Sequence, residues 1–520
     1  MIAPVRRIAV VILFVFALAS TMPVRAAPAG GTLRIGIDVD AGTLDPRLAN
    51  DTTARRVIEQ VYDGLVELDP QLRPRPALAE SWTQVSPTVW VFKLRKNVRF
   101  HDGTPLTADD VVFTYQTILD PGLRAPLRGL VTPISKIEAV DPETVRFTLS
   151  APYAPLLKYV DGSQAGGIVS KRAVERLGAE YASNPIGTGA YKFVSWQRNS
   201  RIVLEANPTS WRGRPSLNQI IFNIIPDNTT RAAAVESGDV DLIHSPLSPQ
   251  DVRRLRTVSR VNVTQMTGLG HTYLNINQSD PILRDLRVRR ALAHLIPQVT
   301  IVRQIYQEMD RPANSILLPA WSGIYTEDIT QPGPDITRAK ALLAEAGWTD
   351  SNRDGILDRG GQNLALVVRT HSEDPNRIQV VELLISILRS SGIDARAEIT
   401  EFPALVGALI AGTHQVALLG WLGLVDPDRG MYNQFHSKGS QNWEKYNNPR
   451  VDALLDEGRQ KSDPQERARI YREVARIIAN DLPYFVLTYQ GYIVVINKRV
   501  QGFVPIPSGS FRSLWQTSVP

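Results

Sequence analysis

The chain has 520 residues, a formal net charge of +6 and no cysteine. The lack of cysteine excludes disulfides, thiolate metal sites, a cysteine nucleophile and a lipid-modified N-terminal cysteine. Lysine and arginine are scattered among aspartate and glutamate without a basic run, which argues against nucleic acid as a partner. A chain of this length is too long for one compact core, so two or more domains are expected.

The N-terminal segment has the pattern of a cleavable secretion signal. Arg6 and Arg7 precede an apolar run over residues 8–19, and small residues at 24–27 follow it. About a dozen apolar residues suit a signal-peptide core, whereas about 20 are needed to span a bilayer. We therefore predict a signal peptide over residues 1–27 and a mature protein free in the periplasm. A retained membrane anchor is the alternative.

The mature chain begins with a predicted strand and helix. Residues 32–38 read as a strand, and the turn at 42–46 contains Asp45, a predicted ligand-binding residue. Apolar residues then recur four apart along residues 55–66, which predicts an amphipathic helix.

A strand, a turn and a capped helix are predicted next. Residues 90–95 alternate between large apolar and other side chains, as in a strand with one buried face. His-Asp-Gly-Thr at 101–104 is typical of a turn. Thr107 is followed by Asp110 three residues later, which is the spacing of a helix N-terminal capping box.

The same residues form part of a longer ordered pattern. W-x-F-x-L-R at 90–95 is followed by V-x-F-H-D-G-x-P-L-T-A-x-D-V at 98–111, P-x-G-T-G-x-Y at 185–191 and D-x-x-V-R-x-A-L at 285–292. This order resembles the signature of the family 5 periplasmic solute-binding proteins, the dipeptide, oligopeptide and nickel receptors of ABC importers. Pro297 departs from the resemblance, because many relatives have an acid there.

The resemblance implies a fold and a domain organisation. The implied fold is α/β, a two-lobed periplasmic binding protein of the large, cluster C type, with an extra β-rich subdomain and the ligand cleft between the lobes. The chain then crosses between the lobes more than once. The implied divisions are 28–72, 191–280 and 489–520 for lobe I, 73–190 for its β-rich subdomain and 281–488 for lobe II.

Strands and helices alternate in the second half of the chain. The predicted strands cover residues 363–370, 393–400 and 415–420, and the predicted helices cover 376–391 and 402–411. This β-α-β-α-β order predicts a parallel sheet flanked by helices.

The loop after the third of these strands is the main candidate for a binding site, because ligands of open α/β sheets bind beyond the carboxyl ends of the strands. Its predicted ligand-binding residues combine an aromatic ring, a flexible glycine and carboxylates. They are Gly420, Trp421, Leu424, Asp426 and Asp428. The alternative is a buried tryptophan followed by an ordinary surface turn.

The loop resembles the family's G-W-x-x-D-x-x-D-P sequence but lacks its first acid. In peptide receptors that acid pairs with the peptide α-ammonium group, and Leu424 occupies its position here. The following Asp-Pro also comes one residue early. Either Asp426 or Asp428 contacts an ammonium group instead, or the ligand has none at this place. His436 follows closely and is predicted to donate or accept a hydrogen bond with the ligand.

A second loop has some features of a calcium site. Asp350, Asn352, Asp354 and Asp358 stand at positions 1, 3, 5 and 9, with a glycine at position 6. Position 12 is Gly361, so the bidentate glutamate is missing. A calcium loop and a polar Asx-rich turn both remain open, and no other cofactor is predicted.

The resemblance implies a receptor that captures a peptide or peptide-like solute by lobe closure and delivers it, as a monomer, to an inner-membrane ABC permease. The same role for an opine, an oligosaccharide or a metal chelate is the alternative. A secreted hydrolase is a rival from another class. No enzyme activity is predicted, because the chain contains no G-x-S-x-G, H-E-x-x-H, Walker or G-x-G-x-x-G motif.

Overall fold

The computed structural model describes residues 30–520. The predicted signal peptide lies outside these residues. Within residues 30–520, no helix combines the length and the apolar character that a membrane crossing requires.

The first lobe begins with strand β1 (Thr32–Ile37) and helix α1 (Thr52–Val61). Asp51 starts α1 earlier than the apolar spacing predicted, because its Oδ1 accepts from the Ala54 N–H at 2.6 Å. The helix also ends earlier, at Val61. Its last carbonyls lie against the backbone of Gly187, where an added Cβ would collide with the Val61 carbonyl oxygen. A glycine at position 187 is therefore needed for this close approach of the two backbones.

The β-rich subdomain follows α1. Its elements are β2 (Val66–Leu68), β3 (Pro74–Pro76), β4 (Ala79–Ser86), β5 (Val89–Leu94), α2 (Ala108–Leu119), β6 (Ile134–Asp141) and β7 (Thr144–Leu149). Strands β4, β5, β7 and β6 form an antiparallel sheet in that order. Trp90 and Phe92 are buried in its core, as the alternation predicted. The predicted cap of α2 is also present, because the Thr107 N–H donates to Asp110 Oδ2 at 3.0 Å.

The rest of the first lobe adds strands and short helices in chain order. They are α3 (Leu156–Tyr159), α4 (Lys171–Leu177), β8 (Tyr191–Gln197), β9 (Arg201–Ala206), β10 (Gln219–Ile224), α5 (Asn228–Ser237), β11 (Leu242–His244) and α6 (Pro249–Leu255). Strand β1 pairs in parallel with β10 and β11 and lies between them in an 11-stranded sheet that continues into the second lobe.

A long strand, β12 (Val261–Ile276), leads into the second lobe. The elements after it are α7 (Leu286–Leu295), α8 (Gln298–Gln304), β13 (Arg311–Pro312), α9 (Ile336–Glu345), β14 (Asp358–Arg359), β15 (Gln362–Asn363), β16 (Ala365–His371), α10 (Pro375–Ser390), β17 (Asp394–Thr400), α11 (Phe402–Ala411), β18 (Val416–Trp421), α12 (Pro427–Phe435), α13 (Pro449–Gln460), α14 (Pro464–Asp481) and β19 (Tyr484–Asn497). Strand β16 pairs in parallel with both β17 and β18. This confirms the predicted β-α-β-α-β unit.

Two antiparallel strands join the lobes. Strands β12 and β19 pair from Val261 opposite Asn497 to Asn275 opposite Tyr484, with a shift in register between Thr267 and His271. Beyond this shift β12 also pairs with β18 of the second lobe, while the far end of β19 pairs with β11 of the first. The chain therefore crosses between the lobes inside these two paired strands.

Candidate functional site

The loop over residues 420–428, called the Trp421 loop below, lies beside this crossing. Strand β18 ends at Trp421, which is paired with His271, and Gly420 is paired with Thr272. Both partners lie just beyond the register shift of β12. The carboxyl end of β18 therefore places the loop next to the part of β12 where the chain crosses between the lobes.

Trp421 is half-buried and belongs to an aromatic stack. Its ring stacks on Trp443 with centroids 5.5 Å apart and lies nearly parallel to Tyr273 at 6.5 Å. When the Gln434 amide is oriented to satisfy both of its hydrogen bonds, its oxygen accepts from Trp421 Nε1 at 2.9 Å. One part of the indole is thus fixed by the protein, and only the remainder can face a solute.

Position 420 favours glycine because neighbouring atoms leave little room for a Cβ atom, and not because its backbone is left-handed. A Cβ atom at this position would approach the Arg377 guanidinium, Gln490 Nε2 at 2.7 Å and the His271 carbonyl oxygen at 3.1 Å. The bare glycine backbone therefore allows α10 and β19 to place polar side chains against the end of β18.

Gly420→Ala is expected to displace the flexible ends of the Arg377 and Gln490 side chains and to lower the free energy of unfolding by only about 1 kcal/mol, the low end of the usual cost of overpacking. Urea unfolding of the variant measures this effect. Gly407→Ala is the matched control, because nothing lies within 4 Å of a Cβ added there. The control variant should be as stable as the parent or slightly more so. Equal stability of both variants would contradict the packing described for Gly420.

Leu424 lies in the hydrophobic core, with 1% of its surface exposed. Its N–H donates to the Leu269 carbonyl at 3.0 Å, and its own carbonyl accepts from Trp321 Nε1 at 2.7 Å. The leucine at the position of the missing acid thus anchors the loop to the core. This placement does not support the prediction that its side chain contacts a ligand.

Asp426 is fully buried and already neutralised by the protein. Its carboxylate pairs with Arg467 at 2.8 Å and with Lys158 at 3.2 Å. It also caps α12 by accepting from the Asp428 N–H at 2.9 Å. Burial alone would raise the pKa of Asp426, but the two cations outweigh it and lower the pKa below its usual range.

Asp428 has a similar arrangement. Arg459 donates to both of its carboxylate oxygens, from Nε at 3.0 Å and from Nη2 at 3.1 Å. Burial raises the pKa of Asp428, and Arg459 opposes this rise. Because Asp426 and Asp428 are both occupied by arginines of α13 and α14, neither presents a free charge to the cleft. The hypothesis that one of them contacts a ligand ammonium is not supported.

The remaining predicted ligand contacts lie in local structural networks. His436, at the end of α12, accepts from the Lys438 N–H at 3.0 Å and stacks on Tyr432 at 4.6 Å. Asp45 is buried and accepts from the Arg47 guanidinium at 2.7 Å and 3.0 Å. Both arrangements stabilise local turns, and neither side chain is hydrogen-bonded to Trp421 or stacked on it.

The aspartate-rich loop forms a hydrogen-bonded turn. Asp350 accepts from the N–H groups of Asp354 and Gly355 at 3.1 Å each, and Asn352 accepts from the Asp354 N–H at 3.1 Å. Asp358 accepts from Ser351. Across residues 30–520, no group of three or more His, Cys, Asp or Glu side chains is arranged to hold a metal ion. The geometry is thus that of an Asx-rich turn.

One arginine next to the loop was missed by sequence reasoning. Arg429 on α12 donates from Nη1 to Gln164 at 2.8 Å and to the Gly423 carbonyl at 3.1 Å. A single arginine on a helix has no motif spacing, so no sequence signal marked this residue.

The family is decided by a comparison of the sequence with known proteins. The profile described as "Bacterial extracellular solute-binding proteins, family 5 Middle" matches residues 73–442. The chain belongs to this family. The predicted resemblance is therefore confirmed over most of the chain.

Relatives of this family 5 protein match it over nearly their whole length. Oligopeptide-binding protein AppA of Bacillus subtilis is 28% identical, over 91% of this chain and 89% of the relative. Heme-binding protein A of Haemophilus influenzae is 29% identical, over 87% and 85%. The structure of Bacillus subtilis AppA in complex with a nonapeptide superposes with a TM-score of 0.81, at 26% identity over 95% of this chain and 100% of that one.

These comparisons also confirm the two-lobed α/β fold. This family 5 protein is accordingly a solute-binding protein. Because the two relatives are named for a peptide and for heme, family membership alone does not specify the solute.

Proposed function

We propose that the protein is the periplasmic receptor of an ABC importer, binding a peptide or peptide-like solute between its lobes and delivering it to the membrane permease. The observation that carries this proposal is the placement of the Trp421 loop at the crossing of β12 and β19. A half-buried aromatic ring at a two-strand hinge suits a solute that is enclosed when the lobes close. The receptor acts as a monomer, after loss of residues 1–27.

Contacts between the lobes support a closing motion. Lys158, from α3 of the first lobe, reaches Asp426 at 3.2 Å and the Val425 carbonyl at 3.2 Å. Gln164 accepts from Arg429 on the second lobe. Tyr159 of the first lobe and Leu424 of the second also belong to one buried hydrophobic core, so polar and apolar contacts together join the lobes beside the loop.

A non-peptide solute is the second candidate, and one observation favours it. Asp426 and Asp428 are both paired within the protein, so the Trp421 loop offers no free carboxylate to a peptide ammonium group. A peptide bound here would therefore need another way to hold its N-terminus, or would have it blocked.

Two measurements test the proposal together. Mass spectrometry of small molecules released from the purified protein should identify a bound solute, and calorimetry should detect di- to pentapeptides. Binding of N-blocked peptides supports the peptide-like assignment. If the released solute has no peptide bonds and no peptide binds, the protein is a receptor for a non-peptide solute. Release of no solute, together with conversion of a supplied compound, would contradict the receptor role itself.

A further inference from the structure

Gln490 lies at the one place in the middle of strand β19 where the strand is open to solvent. The strand is buried except at Gln490 and Gly491 and at its last two residues. A Cβ atom at Gly491 would collide with the Met309 carbonyl oxygen, so the face toward which residue 491 points is covered. Because successive side chains of a strand point to opposite faces, the opening lies on the face of Gln490.

This opening is next to the Trp421 loop. The ladder between β12 and β19 is interrupted here, and residues 268–270 of β12 all lie opposite Gln490. Leu269, in the middle of this bulge, accepts from the Leu424 N–H of the loop at 3.0 Å. Gln490 and the Trp421 loop therefore meet at the same short segment of β12, where the chain crosses between the lobes.

The side-chain amide of Gln490 is held between two glycines. A Cβ atom added at Gly270 would lie 2.6 Å from Gln490 Oε1, and one added at Gly420 would lie 2.7 Å from its Nε2. The same Nε2 donates to Thr272 Oγ1 at 3.2 Å. The amide is therefore positioned before a solute binds, which reduces the entropy lost on binding.

The amide keeps hydrogen-bonding capacity that the protein does not use. A glutamine amide has two N–H donors and an oxygen that can accept two hydrogen bonds. Within residues 30–520, this side chain makes one hydrogen bond, to Thr272. Arg377, the charged side chain beside Gly420, is already paired with Asp374 at 3.2 Å. One N–H and the oxygen of the neutral amide therefore remain for a solute.

We propose that Gln490 is a specificity-determining residue that hydrogen-bonds to the backbone N–H and C=O of one residue of a peptide-like solute. In an extended peptide these two groups lie on the same edge, as in an antiparallel ladder, where two opposed residues exchange both hydrogen bonds. The side-chain amide supplies the matching oxygen and N–H. The inference rests on the proposed receptor function and specifies which groups of the solute are recognised.

The test uses N-acetylated alanine peptides of three to five residues and their single-ester analogues, in which one backbone N–H at a time is replaced by oxygen. Calorimetry with the full mature chain should show at least one position where the ester binds roughly 3- to 10-fold more weakly, the usual effect of losing one hydrogen bond. Gln490→Met removes both polar atoms of the side chain. It should abolish the difference at one position and leave any differences at other positions unchanged.

Gln490→Asn is a second variant, which withdraws the amide by one methylene group and should reduce the difference at the same position. Gln84→Met is the matched control, because Gln84 is exposed on β4 and donates to the Pro87 carbonyl at 3.2 Å. The control should keep every difference between amide and ester, and urea unfolding shows which variants are folded. The proposal is wrong if the parent shows no difference at any position, or if folded Gln490 variants keep all of the differences.

A parent protein that binds none of these peptides separates this proposal from the receptor function. In that case the solute released from the purified protein is identified by mass spectrometry. A solute without an amide group overturns the role of Gln490 and leaves the receptor function intact. An amide-bearing solute that is retained by the parent and Gln84→Met but lost from Gln490→Met supports this role, and equal retention by all three overturns it. If no solute is released, the role of Gln490 is wrong, and the conversion of supplied compounds decides the receptor function.

Discussion

Asp426→Asn is expected to lower the free energy of unfolding by about 3–5 kcal/mol, the typical cost of removing one partner of a buried ion pair. The substitution leaves Arg467 buried without its counter-charge and removes the partner of Lys158. Asparagine can still cap α12, so the measured loss of stability reports on the missing charge and not on the helix cap. Urea unfolding at neutral pH measures the difference between the variant and the parent.

The pH dependence of this difference provides a second check. The pKa of Asp426 is lowered in the folded protein, chiefly because the cations Arg467 and Lys158 outweigh its burial. A carboxyl group with a lowered folded pKa contributes stability above its unfolded pKa, near about 3.9, and loses it as the pH falls further. The stability gap between the parent and the variant should therefore be full at pH 7 and should narrow below about pH 4.

Asp335→Asn is the matched control for Asp426→Asn. Asp335 caps α9 by accepting from the Arg338 N–H at 2.9 Å, and it is exposed. Its replacement removes a capping charge without stranding a buried cation, so the expected change is within about 0.5 kcal/mol. A loss of similar size in both variants, or a gap for Asp426→Asn that stays constant with pH, would contradict the assigned role of the buried pair.

Local sequence patterns were sufficient for most elements of the fold. Helix α11 matches its predicted bounds and strand β17 begins one residue after its predicted start, because alternation and apolar spacing are properties of neighbouring residues. The start of helix α1 was predicted three residues too late, since it depends on the Asp51 cap and not on the apolar spacing. The crossing of β12 and β19 has no local signal, because it joins residues more than 200 positions apart.

The charges of the candidate site could not be assigned from the sequence for the same reason. Asp426 and Asp428 looked like free carboxylates, but their partners Arg467 and Arg459 are 41 and 31 residues away on other helices. Which carboxylate is neutralised depends on helix packing. The position of the loop could be predicted from the sequence, whereas the pairing of its charged side chains required the structure.

Trp421→Ala is expected to lower both stability and affinity, and the two losses can be separated. Removing the indole opens a cavity between Tyr273 and Trp443 and leaves Gln434 without a donor, at an expected cost of about 3 kcal/mol in unfolding free energy. If the exposed part of the ring stacks on the solute, the folded variant should also lose about 1–3 kcal/mol of binding free energy. Calorimetry well below the unfolding transition measures this second loss with the solute that the parent binds.

Trp443→Ala is the control that distinguishes the two roles, because Trp443 contributes to the same stack but is only 8% exposed. Both variants should lose similar stability, since each removes one ring of the stack. Only Trp421→Ala should also lose roughly tenfold or more in affinity, the effect of removing an aromatic side chain that the solute itself contacts. Equal affinity losses would mean that the solute depends on the integrity of the stack and not on Trp421. In that case the predicted contact between Trp421 and the solute would be wrong.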